Sequence, residues 1–321
     1  MQFVELGASG LRISRLGIGT AAFGLGNYGI PTPGEDAIPE ASAIATIEAA
    51  VASGVNFFDT APGYGSSEDL LGRTLQRYPN TIIATKVAIP EGIDSLSKRE
   101  LQRIVDESLD ASRRALRRDV LDMVQIHNAT VTVLWDGHLV DCLEQAREQG
   151  KLRCIGASVY GPGTALEALK VKQIAVLQLA VSLLDQRMCG RVLPVAEKAN
   201  VGVLTRSAFL KGALTRRAQW LPESLRPVAE ASSRAVRLLN TSWDDLPSIA
   251  LRFCLSLAPA HSVLVGIRSP EELVACVAAE DMGPLASDMQ KIAYSLALDD
   301  EQLLDPSFWR LEESDVEHEP A

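Results

Sequence analysis

The sequence predicts an α/β fold in which eight parallel strands and eight helices alternate and close into a (β/α)8 TIM barrel. Three observations support this prediction. Eight short apolar runs recur along the 321 residues, and a helical pattern follows each of them. Such alternation requires parallel strands joined by right-handed crossovers. Eight units in a chain of this length fit one closed barrel domain over residues 1–321 better than the competing doubly wound open sheet.

The predicted strands are mostly apolar on both faces, as expected when helices cover a parallel sheet. They are Arg15–Thr20, Val55–Asp59, Thr81–Lys86, Asp122–His127, Leu152–Ser158, Ile174–Leu179, Val201–Arg206 and Ser262–Ile267. Before the first of them, residues 2–14 alternate apolar and polar side chains around a glycine-rich turn. This pattern predicts an N-terminal β-hairpin.

Helical patterns predict a helix in each gap between strands and after the last strand, and Ser97–Arg117 has an apolar face opposite a charged one. They are Ala41–Ala52, Ser66–Arg77, Ser97–Arg117, His138–Gln149, Gly163–Leu169, Val192–Ala199, Pro247–Leu257 and Pro270–Ala279. The Ser66 side chain is predicted to cap the second helix. Two additional helices, Glu223–Leu239 and Ala286–Ala297, lie outside the repeat, and the acidic tail 312–321 is expected to be disordered.

Composition excludes several classes of function. A net charge of −10 and a pI near 5.0 argue against a broad basic surface for nucleic acid. The five cysteines are far apart, odd in number and without C-x-x-C spacing, which disfavours a zinc site or a disulfide framework. We find no pattern of a signal peptide or a membrane span. We therefore expect a cytoplasmic protein whose partner is a small molecule.

Four polar residues follow the predicted strand ends. Asp59 closes the second strand, Tyr64 lies in the loop after it, Lys86 closes the third strand and His127 closes the fourth. The carboxyl ends of barrel strands share one rim, where the active sites of such barrels lie. A buried lysine needs a counter-ion, for which Asp59 is the obvious candidate. A tyrosine beside that lysine is expected to have a lowered pKa, which suits proton transfer.

Each of these residues alone has a simpler explanation. A lysine or histidine at a strand end is usually solvated, and Asp59 alone could cap the turn at Thr60. Four such residues at the same end of neighbouring strands favour chemistry. A metal-dependent hydrolase fits poorly, because only one of the four histidines, His127, ends a strand.

These residues and their surroundings resemble the aldo-keto reductase family of NAD(P)H-dependent barrel enzymes. The matching features run almost from end to end: Leu16–Thr20, Gly54–Gly72 with Asp59 and Tyr64, Ala84–Lys86, Asp122–His127, Gly150–Ser158, Gln178, and Leu264–Gly266 followed by Pro270 and Glu271. The resemblance implies hydride transfer between a nicotinamide and the carbonyl carbon of an aldehyde, ketone or sugar, in either direction. Tyr64 would donate the proton, Lys86 and Asp59 would tune it, and His127 would orient the carbonyl oxygen.

The same resemblance implies a cofactor site along the rim. Its residues would be Gly19, Thr20, Ala21 and Asp59 near the nicotinamide ribose, Ser158 and Gln178 at the carboxamide, Arg206, Ser207, Phe209, Lys211 and Gly212 along the ring and pyrophosphate, and Gly266, Ile267 and Arg268 at the adenosine phosphate. NADP(H) is favoured over NAD(H), because Arg268 can pair with a 2′-phosphate.

Three positions depart from the family pattern. Val159 stands where an asparagine usually binds the carboxamide, Arg206 where an aromatic ring often stacks, and Ala275–Cys276 where Glu-Asn usually contacts adenine. A guanidinium plane can also stack on a ring. These departures leave open an alternative function, a non-catalytic NADP(H)-binding barrel that senses redox state through a partner protein.

The loops after strands 1, 4 and 7 are expected to form the substrate pocket. Their candidate residues are Phe23, Tyr28, Asn128 and Trp135, together with Trp220. Aromatic side chains that pack only within their own loops explain these residues equally well. Residues 24–29 match G-x-G-x-x-G, but no helix follows directly, so we predict that Gly24–Ile38 is a mobile loop over the site rather than a dinucleotide fingerprint.

Overall fold

Eight parallel strands close into a barrel at the centre of the molecule. A computed structural model of the protein describes residues 1–26, 28–34 and 37–311. The barrel strands are β3 (Leu16–Gly19), β4 (Phe57–Asp59), β5 (Ile82–Ala88), β6 (Leu121–His127), β7 (Leu152–Val159), β8 (Val176–Ala180), β9 (Gly202–Arg206) and β10 (Ser262–Gly266). Pairing of β10 with both β9 and β3 completes the ring. The predicted (β/α)8 architecture is confirmed. The predicted disordered tail, 312–321, lies outside the described residues.

Helices surround the barrel. Those that connect successive strands or follow the last one are α2 (Glu40–Ala52), α3 (Ser67–Leu75), α4 (Lys98–Leu116), α6 (His138–Glu148), α7 (Pro162–Ala168), α8 (Leu193–Lys198), α10 (Leu246–Leu255) and α11 (Pro270–Asp281). The two predicted additional helices correspond to α9 (Arg226–Leu238) and α12 (Ser287–Tyr294). Three short helices were not predicted: α1 (Ala21–Gly24), α5 (Val131–Asp136) and α13 (Glu301–Leu304). None of the helices in the described ranges has the length and apolar character that crossing a membrane requires.

The N-terminal hairpin closes the lower end of the barrel. Its strands are β1 (Phe3–Glu5) and β2 (Arg12–Ser14), which pair antiparallel as predicted. Leu6 and Leu11 of the connecting turn and Ile13 of β2 pack against inward-facing side chains of the barrel strands. The Ala8 amide donates to the Asn200 carbonyl just before β9, which holds the hairpin against the barrel. A second, larger apolar layer lies between the barrel and the helices.

Strand register brings the polar residues to the other end of the barrel. Gly19 of β3 pairs with Asp59 of β4, and Lys86 of β5 pairs with Gln125 of β6. His127 ends β6 two residues after Gln125 and therefore points to the same face. The fold thus gathers side chains from widely separated segments at one rim.

Candidate active site

A cavity of about 670 Å³ opens at the carboxyl ends of the barrel strands. Tyr64 and His127 line it, and so does Asp59. Every residue predicted to bind the cofactor lines this same cavity: Gly19, Thr20, Ala21, Asp59, Ser158, Gln178, Arg206, Ser207, Phe209, Lys211, Gly212, Gly266, Ile267 and Arg268. Lys86 lies below the cavity surface, with only 1 % of its side chain exposed.

Asp59 and Lys86 form a buried ion pair. The Lys86 Nζ donates to Asp59 Oδ2 at 2.6 Å and to the Thr60 carbonyl at 2.8 Å. Burial lowers the pKa of the Lys86 ammonium, and the Asp59 carboxylate acts in the opposite sense. Because two buried charges are stable only with good mutual geometry and further hydrogen bonds, this pair depends on what surrounds Asp59.

Two glutamine amides complete the surroundings of Asp59. Gln125 Nε2 and Gln178 Nε2 donate to Asp59 Oδ1 at 2.9 and 2.8 Å. Gln178, predicted to hold a carboxamide, thus lies within the same network as the ion pair. Gln125 was missed by the sequence analysis, although a polar residue in an apolar strand two positions before His127 was a usable signal. Gly156 leaves room for it, since a Cβ there would lie 3.0 Å from Gln125 Cγ.

Tyr64 lies directly above the ion pair. The Lys86 Nζ is 4.9 Å from the centroid of the phenol ring, and the His127 ring meets that ring edge-on, with centroids 5.8 Å apart. Burial, followed by the negative charge of Asp59, raises the pKa of Tyr64 above its ordinary value. The expectation of a lowered pKa for Tyr64 is therefore wrong, because desolvation of the phenolate and the negative charge of Asp59 outweigh the lowering effect of Arg206. Tyr64 holds its proton at neutral pH.

His127 has the opposite shift. Burial first, and then the positive charge of Lys86, lower the pKa of His127 to about 4. The imidazole is therefore neutral at pH 7 and can both donate and accept a hydrogen bond. A protonated tyrosine and a neutral histidine in contact form a suitable pair of donors for an oxygen atom in the cavity.

Three buried hydroxyl groups hold the loop that carries Tyr64. Thr60 Oγ1 donates to Ser67 Oγ at 3.0 Å, and Ser67 Oγ donates to Thr20 Oγ1 at 2.6 Å. The Thr20 hydroxyl in turn donates to the Asp59 carbonyl at 2.9 Å. The predicted cap by Ser66 is not formed, since its side chain makes no capping hydrogen bond. The start of α3 is fixed by this cluster instead.

Arg206 stacks on Tyr160 at the cavity wall. The guanidinium carbon is 4.2 Å from the centroid of the Tyr160 ring, and Nη1 donates to Ser207 Oγ at 3.3 Å. The other terminal nitrogen, Nη2, is buried and donates to no acceptor among the described residues. Tyr160 was not predicted, because it follows β7 in a segment without a regular pattern and meets Arg206 of β9 only because both strands pair with β8.

The segment after β9 bends sharply around the cavity. Ser207 and Lys211 have positive φ angles of 66° and 56°, a backbone region that side chains seldom adopt. The loop before α2 packs on this segment, with the Ile30 amide donating to the Lys211 carbonyl. Tyr28 from that loop lines the cavity, as expected, and burial raises its pKa to about 12.

The far end of the cavity lies at the start of α11. Gly266 and Arg268 line it together with Glu272 and with Ala275 and Cys276, two of the positions that depart from the family pattern. The Ser269 hydroxyl caps the helix by accepting from the Glu272 amide, and the Arg268 amide donates to Glu272 Oε2. This end therefore carries both a guanidinium and a carboxylate.

The predicted substrate residues divide into two groups. Tyr28 and Asn128 line the cavity, and the backbone N–H of Asn128 donates to Ser158 Oγ at 3.0 Å. Phe23 instead packs in the hydrophobic core with 7 % exposure and does not border the cavity. Trp135 lies on the outer face of α5, 72 % exposed, where its Nε1 donates to Glu167. Trp220 is 46 % exposed and also lies outside the cavity wall.

Known proteins share this fold and sequence pattern. The model of the aldo/keto reductase family matches residues 15–296. An NADH-specific methylglyoxal reductase of Escherichia coli is 26 % identical over 309 residues, which cover 87 % of this chain and 93 % of that protein. An L-galactose dehydrogenase of Arabidopsis thaliana is 29 % identical over 312 residues, with 90 % of this chain and 91 % of that protein covered.

A solved structure agrees with the sequence comparisons. The holo form of an aldo-keto reductase from Bacillus halodurans superposes with a TM-score of 0.76 at 26 % identity, covering 95 % of this chain and 100 % of that one. The strand order, the rim cavity and these matches lead to one conclusion: the chain belongs to the aldo/keto reductase family and is an oxidoreductase.

Proposed function

We propose that this protein uses a nicotinamide dinucleotide to reduce the carbonyl group of an aldehyde, ketone or sugar to an alcohol, or catalyses the reverse reaction. The observation that carries the proposal is the arrangement of four side chains in the cavity wall and directly below it. A protonated Tyr64 lies against a neutral His127 and above a buried Asp59–Lys86 pair. Tyr64 is thus positioned to donate a proton, and the Lys86 ammonium is positioned to stabilise the negative charge of the phenolate that forms.

Each side chain has a separate role in this proposal. The Tyr64 hydroxyl donates its proton to the carbonyl oxygen as that oxygen gains negative charge. The Lys86 ammonium, 4.9 Å from the ring, stabilises the phenolate that results. His127 donates a hydrogen bond that orients the same oxygen. Asp59, held by Gln125 and Gln178, keeps the ammonium in place.

The residues around the cavity fit a dinucleotide. Ser158 and Gln178 offer polar groups for a carboxamide beside Tyr64, and the bent segment Ser207–Gly212 provides backbone donors and Lys211 for a pyrophosphate. The bound nicotinamide supplies a hydride for reduction, or takes one up in the reverse direction.

We propose NADP(H) rather than NAD(H), because Arg268 can pair with a 2′-phosphate. Glu272 at the same end favours a free ribose hydroxyl, and one relative is named NADH-specific, so both cofactors need to be compared.

The first experiment is a fluorescence titration of the purified protein with NADPH and with NADH. We expect tighter binding of NADPH, and we expect Arg268→Ala to weaken NADPH binding at least about tenfold while leaving NADH binding nearly unchanged, because a lost charge–phosphate contact is worth more than about 1.4 kcal/mol. Equal affinity of the wild type for both cofactors would remove the preference. Binding of neither would overturn the proposed function.

The second experiment replaces Tyr64 by Phe and measures turnover in a screen of carbonyl substrates. Loss of the general acid is expected to lower kcat by roughly 10²- to 10⁴-fold, with cofactor affinity retained. Unchanged turnover would falsify the role of Tyr64. Cofactor binding by the wild type without turnover of any carbonyl compound would instead support the redox-sensing alternative.

A further inference from the structure

Arg206 is a cation in the cavity wall that has no anionic partner within residues 1–26, 28–34 and 37–311. Its contacts among the described residues are the Tyr160 ring, at 4.2 Å, and the Ser207 hydroxyl, at 3.3 Å. Nη2 is buried and donates to nothing in the same set of residues. A buried charged donor that has lost water without gaining an acceptor costs free energy. Such a group is retained at an active site when a ligand completes it.

Other cationic side chains of the cavity have different surroundings. Arg216 pairs with the Asp244 carboxylate through two hydrogen bonds, and Arg217 donates to the Ile30 carbonyl. Lys211 lies over the Tyr28 ring, 5.8 Å from its centroid. The missing anionic partner is therefore a feature that distinguishes Arg206 from the paired arginine Arg216 on the same cavity wall.

Arg206 lines the same cavity as Tyr64 and His127. Its charge acts on the pKa of both Tyr64 and His127, and it lowers each of them. The Tyr160 ring covers one face of the guanidinium plane, which fixes its orientation and leaves the edge donors for a ligand.

We propose that Arg206, held by Tyr160, is a carboxylate-binding subsite for the substrate, and that the preferred substrates are carbonyl compounds that also carry a carboxylate. This inference rests on the proposed function. A carboxylate matches the fork of donors on a guanidinium in a bidentate arrangement. It would neutralise Arg206 while the carbonyl oxygen of the same molecule meets Tyr64 and His127. The cofactor's phosphates are the other source of anionic oxygens, and they are assigned here to Lys211 and Arg268.

The test compares 4-formylbenzoate with its methyl ester, two aldehydes that differ in the charge of one substituent. We expect the wild type to prefer the acid at least about tenfold in kcat/KM, and Arg206→Met to abolish that preference, since a charge-assisted bidentate contact is worth about 1.5–3 kcal/mol. Arg206→Lys should keep part of it, because a lysine retains the charge but not the fork. Arg216→Met is the matched control. It removes a paired arginine from the same wall and should leave the ratio of the two substrates unchanged.

Calorimetric titration with 4-(hydroxymethyl)benzoate and with its methyl ester measures the same selectivity as a ratio of affinities, without turnover. Equal binding of the acid and the ester by the wild type, or equal selectivity of wild type and Arg206→Met, would overturn the subsite. A tenfold loss of NADPH affinity in Arg206→Met with unchanged selectivity would assign Arg206 to a cofactor phosphate and would also overturn it. Selective binding of the acid without turnover of either aldehyde would support the subsite and contradict only the proposed reaction.

Discussion

At the scale of single residues, burial decides what each titratable side chain can do. Tyr64 and His127 have ordinary pKa values on opposite sides of neutrality, and their site moves these values further apart. In both cases burial is the largest cause, since it penalises the phenolate of one and the imidazolium of the other. The result is an acid that keeps its proton and a histidine that stays neutral, which is the combination used in the proposed carbonyl reduction.

The pH dependence of the reduction tests these proton states. We expect kcat/KM to be nearly constant from about pH 8 to about pH 5 and to fall at lower pH, as His127 is protonated around its lowered pKa of about 4. The sign follows first from burial, which penalises the imidazolium, and then from Lys86, whose positive charge opposes a second cation beside it, so His127 takes up a proton only well below neutral pH. Steady-state kinetics at constant ionic strength measure the profile, with His127→Gln as the variant that lacks this titration. A midpoint near 6.5 for the wild type would contradict the assignment.

At the scale of secondary structure elements, the hydrogen bonds at the starts of α3 and α4 have different roles. Ser97 and Glu100 form a reciprocal capping box at the exposed start of α4, far from the cavity. At the start of α3, Ser67 is fully buried and links Thr20 to Thr60 on either side of Asp59. The first arrangement stabilises a helix. The second also fixes the loop on which Tyr64 is held.

Replacing each serine by alanine separates the two effects. Ser97→Ala is expected to lower the free energy of unfolding by about 1 kcal/mol, the usual value of an N-cap, with kcat unchanged. Ser67→Ala should cost about 1–3 kcal/mol, because it leaves buried hydroxyls without a partner. It should also lower kcat, because the Tyr64 loop is released. Urea denaturation and steady-state kinetics measure both quantities. Equal kcat values in the two variants would remove Ser67 as a positioning residue.

At the scale of the whole molecule, the two ends of the barrel are specialised. The lower end is filled by the apolar hairpin side chains Leu6, Leu11 and Ile13, whereas the upper end carries the polar groups and the cavity. Gly202 at the start of β9 allows the hairpin to approach, since a Cβ there would lie 2.8 Å from the Leu6 side chain. Stability and chemistry are thus separated along the barrel axis, as is usual in this architecture.

This separation predicts that Leu6→Ala affects stability alone. Leu6 is fully buried, so its truncation should lower the free energy of unfolding by about 2–5 kcal/mol through lost apolar burial and a residual cavity. We expect kcat and KM to stay near wild-type values at temperatures where the variant remains folded. Denaturant titration measures the loss of stability, and steady-state kinetics at about 20 °C measure kcat and KM. A large loss of turnover in a variant that is still fully folded would show that the two ends are coupled.

Most of the fold was predictable because its determinants are local. Each barrel strand is an apolar run bounded by turn residues, and each crossover segment has a helical pattern, so β3 to β10 and the additional α9 and α12 were anticipated. The short helices α1, α5 and α13 were not, since four to six residues carry too little periodicity. Consequently Trp135, assigned to a pocket loop, lies on α5 and faces away from the cavity.

The sequence by itself determined which residues stand at strand ends, because the end of an apolar run can be read locally. That is why Asp59, Lys86 and His127 were found, together with Tyr64 in the loop after Asp59. The cofactor residues of the rim were predicted from the family resemblance instead. Only the tertiary structure decided the contacts between distant segments: Gln125 on Asp59, Tyr160 on Arg206, and Phe23 in the core instead of the cavity. It also decided the proton states, since desolvation depends on the packing around a group, and that packing comes from residues far away along the chain.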